Sequence, residues 1–208
     1  LHLPTQKVVV DSINGISVND TQKKATLQAG SIATICGHIE GNNDFTGLVS
    51  ATIRDSRELI TCNMNASAAA DSAFAFYDYT KYLFNGSDSI KNGKFNISFA
   101  VPLDINYSDK AGIMNFHAVS SDKQMLAHGY CTNFIVGGTA AVDNDSIGPS
   151  IYCYLNSPSF VNGGNVNSTP YFVAQITDAN GINSTGNGIG HDLQLIIDGD
   201  MAKTYTLN

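Results

Sequence analysis

The chain has 208 residues, enough for one large domain or two ordinary ones that bury a core without disulfides or metal ions. Charged residues make up only 14% of it, the formal net charge is -7, and no run of Lys or Arg interleaves with aromatics, which argues against nucleic-acid binding. No stretch approaches the roughly 18 consecutive apolar residues of a membrane span, so no membrane-spanning segment is expected in this chain.

Alternation of apolar and polar residues runs through most of the chain and predicts short strands. In residues 93–102, Phe95, Ile97 and Phe99 alternate with polar neighbours, which is the pattern of a half-buried strand. The predicted strands begin, in chain order, at Lys7, Ala25, Ser31, Gly47, Glu58, Tyr79, Gly93, Ile113, Leu126, Ser150, Pro170, Asp192 and Lys203. Such short strands separated by turn residues predict an all-β chain of the β-sandwich type.

One alanine-rich segment, residues 65–79, departs from the alternation and predicts at most one short helical turn. An aromatic-rich run begins within this segment at Phe74 and continues to Phe84. They form the one candidate platform for carbohydrate stacking, although packing within a core or hairpin is the preferred interpretation.

A polar junction at residues 142–149 divides the predicted strands and is interpreted as a linker. Residues 7–141 before it supply enough strands for a complete immunoglobulin-like sandwich. Residues 150–208 after it supply only four strands, which predicts a second, incomplete β-sandwich. That second domain is either truncated or completed by another chain or by the first domain.

The four cysteines are scattered, without a CxxC pair or zinc-type spacing, so a structural zinc site is not expected. Buried thiols are the preferred interpretation, and a Cys36–Cys131 disulfide remains an alternative. Cys36 and His38 lie on one face of one strand, roughly 7 Å apart and beyond direct hydrogen-bond reach. A nucleophile–base pair is therefore not predicted there.

Two polar loops contain the other candidate site residues. Carboxylate and amide oxygens suit calcium, but Asp-Asn-Gly clusters are also ordinary tight-turn chemistry, which is the preferred interpretation. The calcium candidates are Asp143, Asn144 and Asp145, and the candidate recognition loop contains Asp178, Asn180, His191 and Asp192. The glycines of that loop precede a predicted strand and not a helix, so a phosphate cradle is not predicted and no cofactor is expected.

Several phrases of the sequence resemble the gingipain family of cysteine peptidases, which includes the sortases of type IX secretion systems. The resemblance is carried by DSINGISV near the start and by residues 89–107, 134–149 and 176–200, in that order along the chain. In that family, immunoglobulin-like sandwiches follow a caspase-like domain with a Cys–His dyad. The resemblance implies that residues 1–6 are the tail of that domain, that the dyad lies upstream of Leu1, and that this chain carries no catalytic residue.

The resemblance also implies a function and a location. The chain would be a non-catalytic accessory region of a Bacteroidetes cysteine endopeptidase or sortase at the cell surface. A sortase parent would cleave the C-terminal signals of secreted cargo and attach the cargo to the surface. Its partners would be the upstream peptidase domain and an outer-membrane protein. The competing hypothesis is an independent cell-surface adhesin or carbohydrate-binding module.

Overall fold

The structure, a computed structural model, describes residues 6–62, 73–141, 147–179, 181–182 and 193–207. These residues form sixteen strands and one short 3-10 helix, Met201–Lys203, and no α-helix. The strands are β1 Gln6–Ile13, β2 Ile16–Ser17, β3 Ala25–Ala29, β4 Ile32–Ile39, β5 Gly47–Arg54, β6 Glu58–Cys62, β7 Phe74–Asp78, β8 Tyr82–Ile90, β9 Lys94–Ala100, β10 Ile113–Ser120, β11 Leu126–Cys131, β12 Phe134–Thr139, β13 Ser150–Leu155, β14 Phe172–Thr177, β15 Gln194–Ile196 and β16 Thr204–Thr206. The predicted all-β class is confirmed.

β7 is the strand that the sequence analysis missed most clearly. The helical turn predicted across residues 65–79 is wrong for Phe74–Asp78, and residues 65–72 lie outside the described part of the chain. β7 pairs antiparallel with β6, from Glu58 opposite Asp78 to Cys62 opposite Phe74. The pairing favours the strand because aromatic residues suit a pleated surface and tertiary context overrides the helix propensity of alanine.

Eight strands between residues 6 and 131 form one large sheet. Its strand order is β8-β5-β10-β11-β1-β4-β9, with β2 added beside β1. Neighbouring strands within this sheet pair antiparallel, except β1 and β11, which pair in parallel at Gln6–Ala127 and Lys7–His128. β8 and β9 are the two end strands of this order. A tight turn closed by a Lys91–Lys94 bridge nevertheless joins them, and the ring of Phe84 stacks on the ring of Phe99 with their centres 4.7 Å apart. The two ends of the sheet therefore meet around a common interior, an arrangement compatible with a β-sandwich.

The core lies between these strands and follows the predicted alternation. In β9 the buried residues are Phe95, Ile97 and Phe99, and in β4 the buried set includes Ile35 and Ile39. The largest fully buried side chains are Phe45, Phe134, Ile13, Leu27, Ile35, Ile39, Ile53, Ile90, Ile97 and Met114. Each such side chain contributes roughly 1.5–3 kcal/mol on burial.

The chain divides into two compact units, residues 1–141 with 183–208, and residues 142–182. The four strands predicted after residue 150 are present, but they form the pairs β13–β14 and β15–β16 and not one four-stranded sheet. β15 and β16 are three residues long, which leaves few backbone groups for a further partner. The predicted domain boundaries at 1–6, 7–141, 142–149 and 150–208 stay a prediction. Within the described ranges, no helix is long and apolar enough to cross a membrane.

Candidate functional site

His38 and Asp11 form a polar pair on the outer face of β4 and β1. The Nδ1 atom of His38 lies 2.9 Å from each carboxylate oxygen of Asp11. The pairing register of β1 with β4 shifts between Val10 and Ser12, which makes Asp11 the extra residue of a β-bulge. A bulge redirects the side chain of its extra residue, and here it brings the Asp11 carboxylate to the His38 ring.

Cys36 lies on the same face of β4 as His38 but has a different partner. Its thiol donates to Oδ1 of Asn96, at 3.8 Å, on the neighbouring strand β9. Activation of a thiol as a nucleophile requires a nearby base or cation that stabilises the thiolate. The described contacts thus pair the imidazole with Asp11 and the thiol with Asn96. That Cys36 and His38 are not a nucleophile–base pair stays a prediction.

All four cysteines are free, so the alternative Cys36–Cys131 disulfide is not formed. Each lies in a strand, as predicted, but their surroundings differ. Cys131 is buried, and desolvation by burial raises the pKa of its thiol. The expected burial is wrong for Cys153, which is exposed, because the β13–β14 pair has exposed residues on both of its faces.

Most of the predicted recognition and calcium residues cannot be placed. Asp143, Asn144, Asp145, Asn180, His191 and Asp192 lie outside the described residues. Asp178 is half-buried and follows directly after β14. The described residues contain no group of three or more His, Cys, Asp or Glu side chains that could hold a metal ion. The two loops therefore stay predictions.

Asp55 and three residues that bond to it or to each other form a buried polar cluster that the sequence analysis did not identify. Asp55 is fully buried, its Oδ1 accepts from the amide of Ser56 at 2.5 Å, and its Oδ2 accepts from the amide of Asn106 at 2.6 Å. Asn106 donates its side-chain amide to the carbonyl of Ser56, whose hydroxyl lies 2.6 Å from that of Ser108. We call Asp55, Ser56, Asn106 and Ser108 the Asp55 cluster. It satisfies buried polar groups that would otherwise cost free energy.

The Asp55 cluster lies where the β6–β7 hairpin begins and ends. Asp55 directly follows β5, its amide donates to the carbonyl of Lys81, and Lys81 directly precedes β8. Nearby, the Arg54 guanidinium stacks 4.5 Å from the centre of the Tyr82 ring and donates to the Tyr82 hydroxyl at 2.7 Å. The Thr80 hydroxyl donates to a carboxylate oxygen of Glu58 at 2.5 Å. These contacts fix both ends of the hairpin to the large sheet.

The β6–β7 hairpin itself is a separate two-stranded sheet with large exposed apolar side chains. The exposed fraction is 56% for Leu59, 60% for Phe74 and 65% for Tyr77. Every residue of β7 is exposed, and Phe74 lies 5.8 Å from Phe76 between ring centres. Aromatic clusters of this kind on a rigid frame are typical of binding surfaces.

Comparisons with known proteins give one informative result. No family model matches the chain, and no curated protein matches it. Among solved structures, the crystal structure of dimeric latent PorU from Porphyromonas gingivalis superimposes with a TM-score of 0.66 and 32% sequence identity over 99% of this chain. The chain is similar to PorU.

The match covers only part of that protein. The chain spans 20% of the length of the PorU chain. The resemblance seen in the sequence is thus supported in its coarser form, a PorU-like relationship along nearly the whole chain. Spo0M, a sporulation control protein from Bacillus subtilis, matches with a TM-score of 0.39 and 14% identity over 65% of this chain and 51% of its own, too low to carry an argument.

Proposed function

We propose that this chain is the non-catalytic accessory region of a longer gingipain-like cysteine peptidase of the PorU type. The observation that carries the proposal is the similarity to PorU, at 32% identity over 99% of this chain but only 20% of the PorU chain. In this proposal residues 1–6 end the catalytic domain, residues 7–141 form an immunoglobulin-like sandwich, and residues 150–208 begin a second one.

The geometry of the described residues supports a binding and positioning role. Cys36 and His38, two residues apart in β4, contact Asn96 and Asp11 respectively. The all-β frame instead presents side chains on fixed strands, which suits a spacer that supports a neighbouring domain. The recognition loop around Asp178 and the calcium candidates near Asp143 belong to this proposal as partner-docking and junction elements.

In this proposal the longer polypeptide works outside the cytoplasm, at the bacterial cell surface or outer membrane. Its peptidase domain cleaves the C-terminal signals of type IX cargo and attaches the cargo to the surface. This chain holds the peptidase domain in place and offers surface to an outer-membrane partner.

A peptidase assay on two preparations tests whether peptidase activity requires residues outside this chain. The longer polypeptide and the 208-residue chain alone are incubated with a peptide library, and cleavage is read by mass spectrometry. We expect cleavage by the longer polypeptide and none by the chain alone. Turnover by the chain alone, or no cleavage by the longer polypeptide, would contradict the proposal.

A carbohydrate-binding module is the second candidate, and the exposed aromatics Phe74, Phe76 and Tyr77 favour it. A glycan array incubated with the chain separates the two candidates. The accessory-region proposal expects no saturable binding to any glycan. Saturable binding that is lost in Tyr77→Ala would favour the carbohydrate-binding module.

A further inference from the structure

We propose that the β6–β7 hairpin inserts into an apolar slot formed by another part of the same polypeptide, outside these 208 residues. The inference rests on the proposed function, because it takes the chain to be one region of a longer protein. It assigns to the hairpin the contact through which this region is held against the rest of that protein.

The pairing register gives the hairpin two apolar faces. Leu59 lies opposite Tyr77, and Ile60 lies opposite Phe76. Because side chains alternate between the faces of a strand, these two neighbouring pairs project to opposite sides. Cys62 opposite Phe74 extends the face that carries Ile60 and Phe76. Beyond the Glu58–Asp78 pair at its base, this face is apolar, and the other face carries the apolar pair Leu59–Tyr77.

A two-stranded hairpin is marginally stable in water unless something covers it. Here Leu59, Phe74 and Tyr77 are each more than half exposed, at 56%, 60% and 65%. Contiguous exposed apolar patches mark interaction sites. Because both faces are apolar, the matching partner is a slot that encloses the hairpin.

The base of the hairpin is held in place before any partner binds. The Asp55 cluster and the Arg54–Tyr82 contact fix the chain on both sides of β6 and β7. A binding element that is already ordered loses less conformational entropy on docking. The charged residues Glu58 and Asp78 lie opposite each other at the base, where they form a polar rim around the apolar pairs.

The choice of an occupant within the same polypeptide follows from chain length and interface character. The PorU-like match covers 20% of the PorU chain, so the remaining 80% (100 − 20) of a similar polypeptide is available as partner. A tethered partner acts at an effective concentration in the millimolar range. Apolar pairs with charged residues only at their base, as on the described residues of this hairpin, are also more typical of permanent interfaces than of transient ones.

A photo-cross-linking residue placed at Tyr77 of the longer polypeptide tests the proposal. We expect irradiation to give cross-links from position 77 to peptides outside these 208 residues, in material that migrates as a monomer. The matched control carries the same residue at Tyr130, which is also a highly exposed tyrosine, at 73%, on β11 of the large sheet. This control should give at least about tenfold less of that product.

A second measurement covers the case in which the cross-linking residue disturbs folding. Tyr77→Ser should lower the Tm of the longer polypeptide by at least about 2 °C, whereas Tyr130→Ser should leave it unchanged. Cross-links confined to these 208 residues, dimeric products, or no cross-link at all would each overturn the proposal. So would equal Tm values for the two variants. A polypeptide that cross-links as expected but has no peptidase activity would contradict the proposed function and leave the hairpin contact standing.

Discussion

Asp55 shows how one buried side chain connects elements that are distant in the sequence. Its carboxylate accepts from the amides of Ser56 and of Asn106, which is 51 residues further along the chain. Asp55→Ala removes the acceptor of the buried Ser56 amide and of the part-buried Asn106 amide. We expect the free energy of unfolding to fall by about 1–3 kcal/mol.

Urea unfolding at neutral pH measures this effect. Asp44→Ala is the matched control, because Asp44 is an exposed aspartate in the loop that precedes β5, and it should change the free energy of unfolding by less than about 0.5 kcal/mol. If Asp55→Ala were as stable as the control, the Asp55 cluster would not fix the base of the hairpin.

Asp122 in the turn between β10 and β11 carries a pH-dependent prediction. The Ser120 hydroxyl donates to its carboxylate at 2.5 Å and is the main cause that lowers the pKa of Asp122 below its ordinary value of 3.8, followed by the Gln124 amide. A lowered pKa in the folded state means that the charged carboxylate favours folding above pH 3.8, and that this contribution is lost as pH falls through the lowered pKa. Ser120→Ala should therefore raise the pKa of Asp122.

A carboxylate titration by NMR tests this prediction directly. Ser121→Ala is the control, since the Ser121 hydroxyl donates to the carbonyl of Thr46 and not to Asp122. An unchanged pKa of Asp122 in Ser120→Ala would show that the hydroxyl has no effect on the carboxylate.

Such residue-level contacts are what the sequence could not reveal. The bulge that turns Asp11 toward His38 depends on the register between β1 and β4, and the Asp55 cluster depends on the path of residues 101–112. The local alternation of apolar and polar residues determines neither the register of two strands nor the path of a loop. The short Asp-Ser phrase after β5 was visible in the sequence, but it is indistinguishable from a turn.

At the scale of elements, the parallel contact between β1 and β11 depends on a glycine. A Cβ atom on Gly129 would lie 2.0 Å from the carbonyl oxygen of Val8, so Gly129→Ala requires the backbone to move. We expect the free energy of unfolding to fall by about 1–3 kcal/mol. Gly148→Ala is the control, because nothing lies within 4 Å of the Cβ that it would add. Equal stability of the two variants, measured by urea unfolding, would contradict the close approach of β1 and β11.

Alternation predicted the strands well because one face of most of them is buried. β3 matches its predicted segment from Ala25 to Ala29, and β1, β4, β5 and β10 differ from theirs by one or two residues at the ends. The segment from Leu126 was predicted as one strand but is two, because β11 pairs with β10 whereas β12 pairs with β3. Pairing partners are set by tertiary contacts, which local patterns do not encode.

The β6–β7 hairpin explains why the candidate site was only half visible in the sequence. The aromatic run from Phe74 was recognised, but core packing was preferred for it, and the structure leaves Phe74 and Tyr77 exposed. Apolar residues in a strand normally indicate burial within the domain. Whether such residues are buried depends on which elements pack against the strand, and local alternation does not encode that.

At the scale of the whole molecule, the described residues form an all-β frame, and the chain matches part of a larger protein. The order of sequence phrases pointed to the same kind of protein that the structural comparison finds over 99% of the chain. The four strands after residue 150 were predicted in number, but their arrangement as β13–β14 and β15–β16 was not. Short strands with exposed faces do not determine their own pairing.

In the proposed function, catalysis depends on residues outside this chain. The most direct measurement is kcat/KM of the longer polypeptide carrying Cys36→Ala, with the urea midpoint recorded on the same preparation. Because the Cys36 thiol bonds to Asn96 and not to His38, the account predicts a kcat/KM within about twofold of the unmodified protein. A loss of more than about a hundredfold at an unchanged urea midpoint would place the nucleophile in this chain and contradict the account.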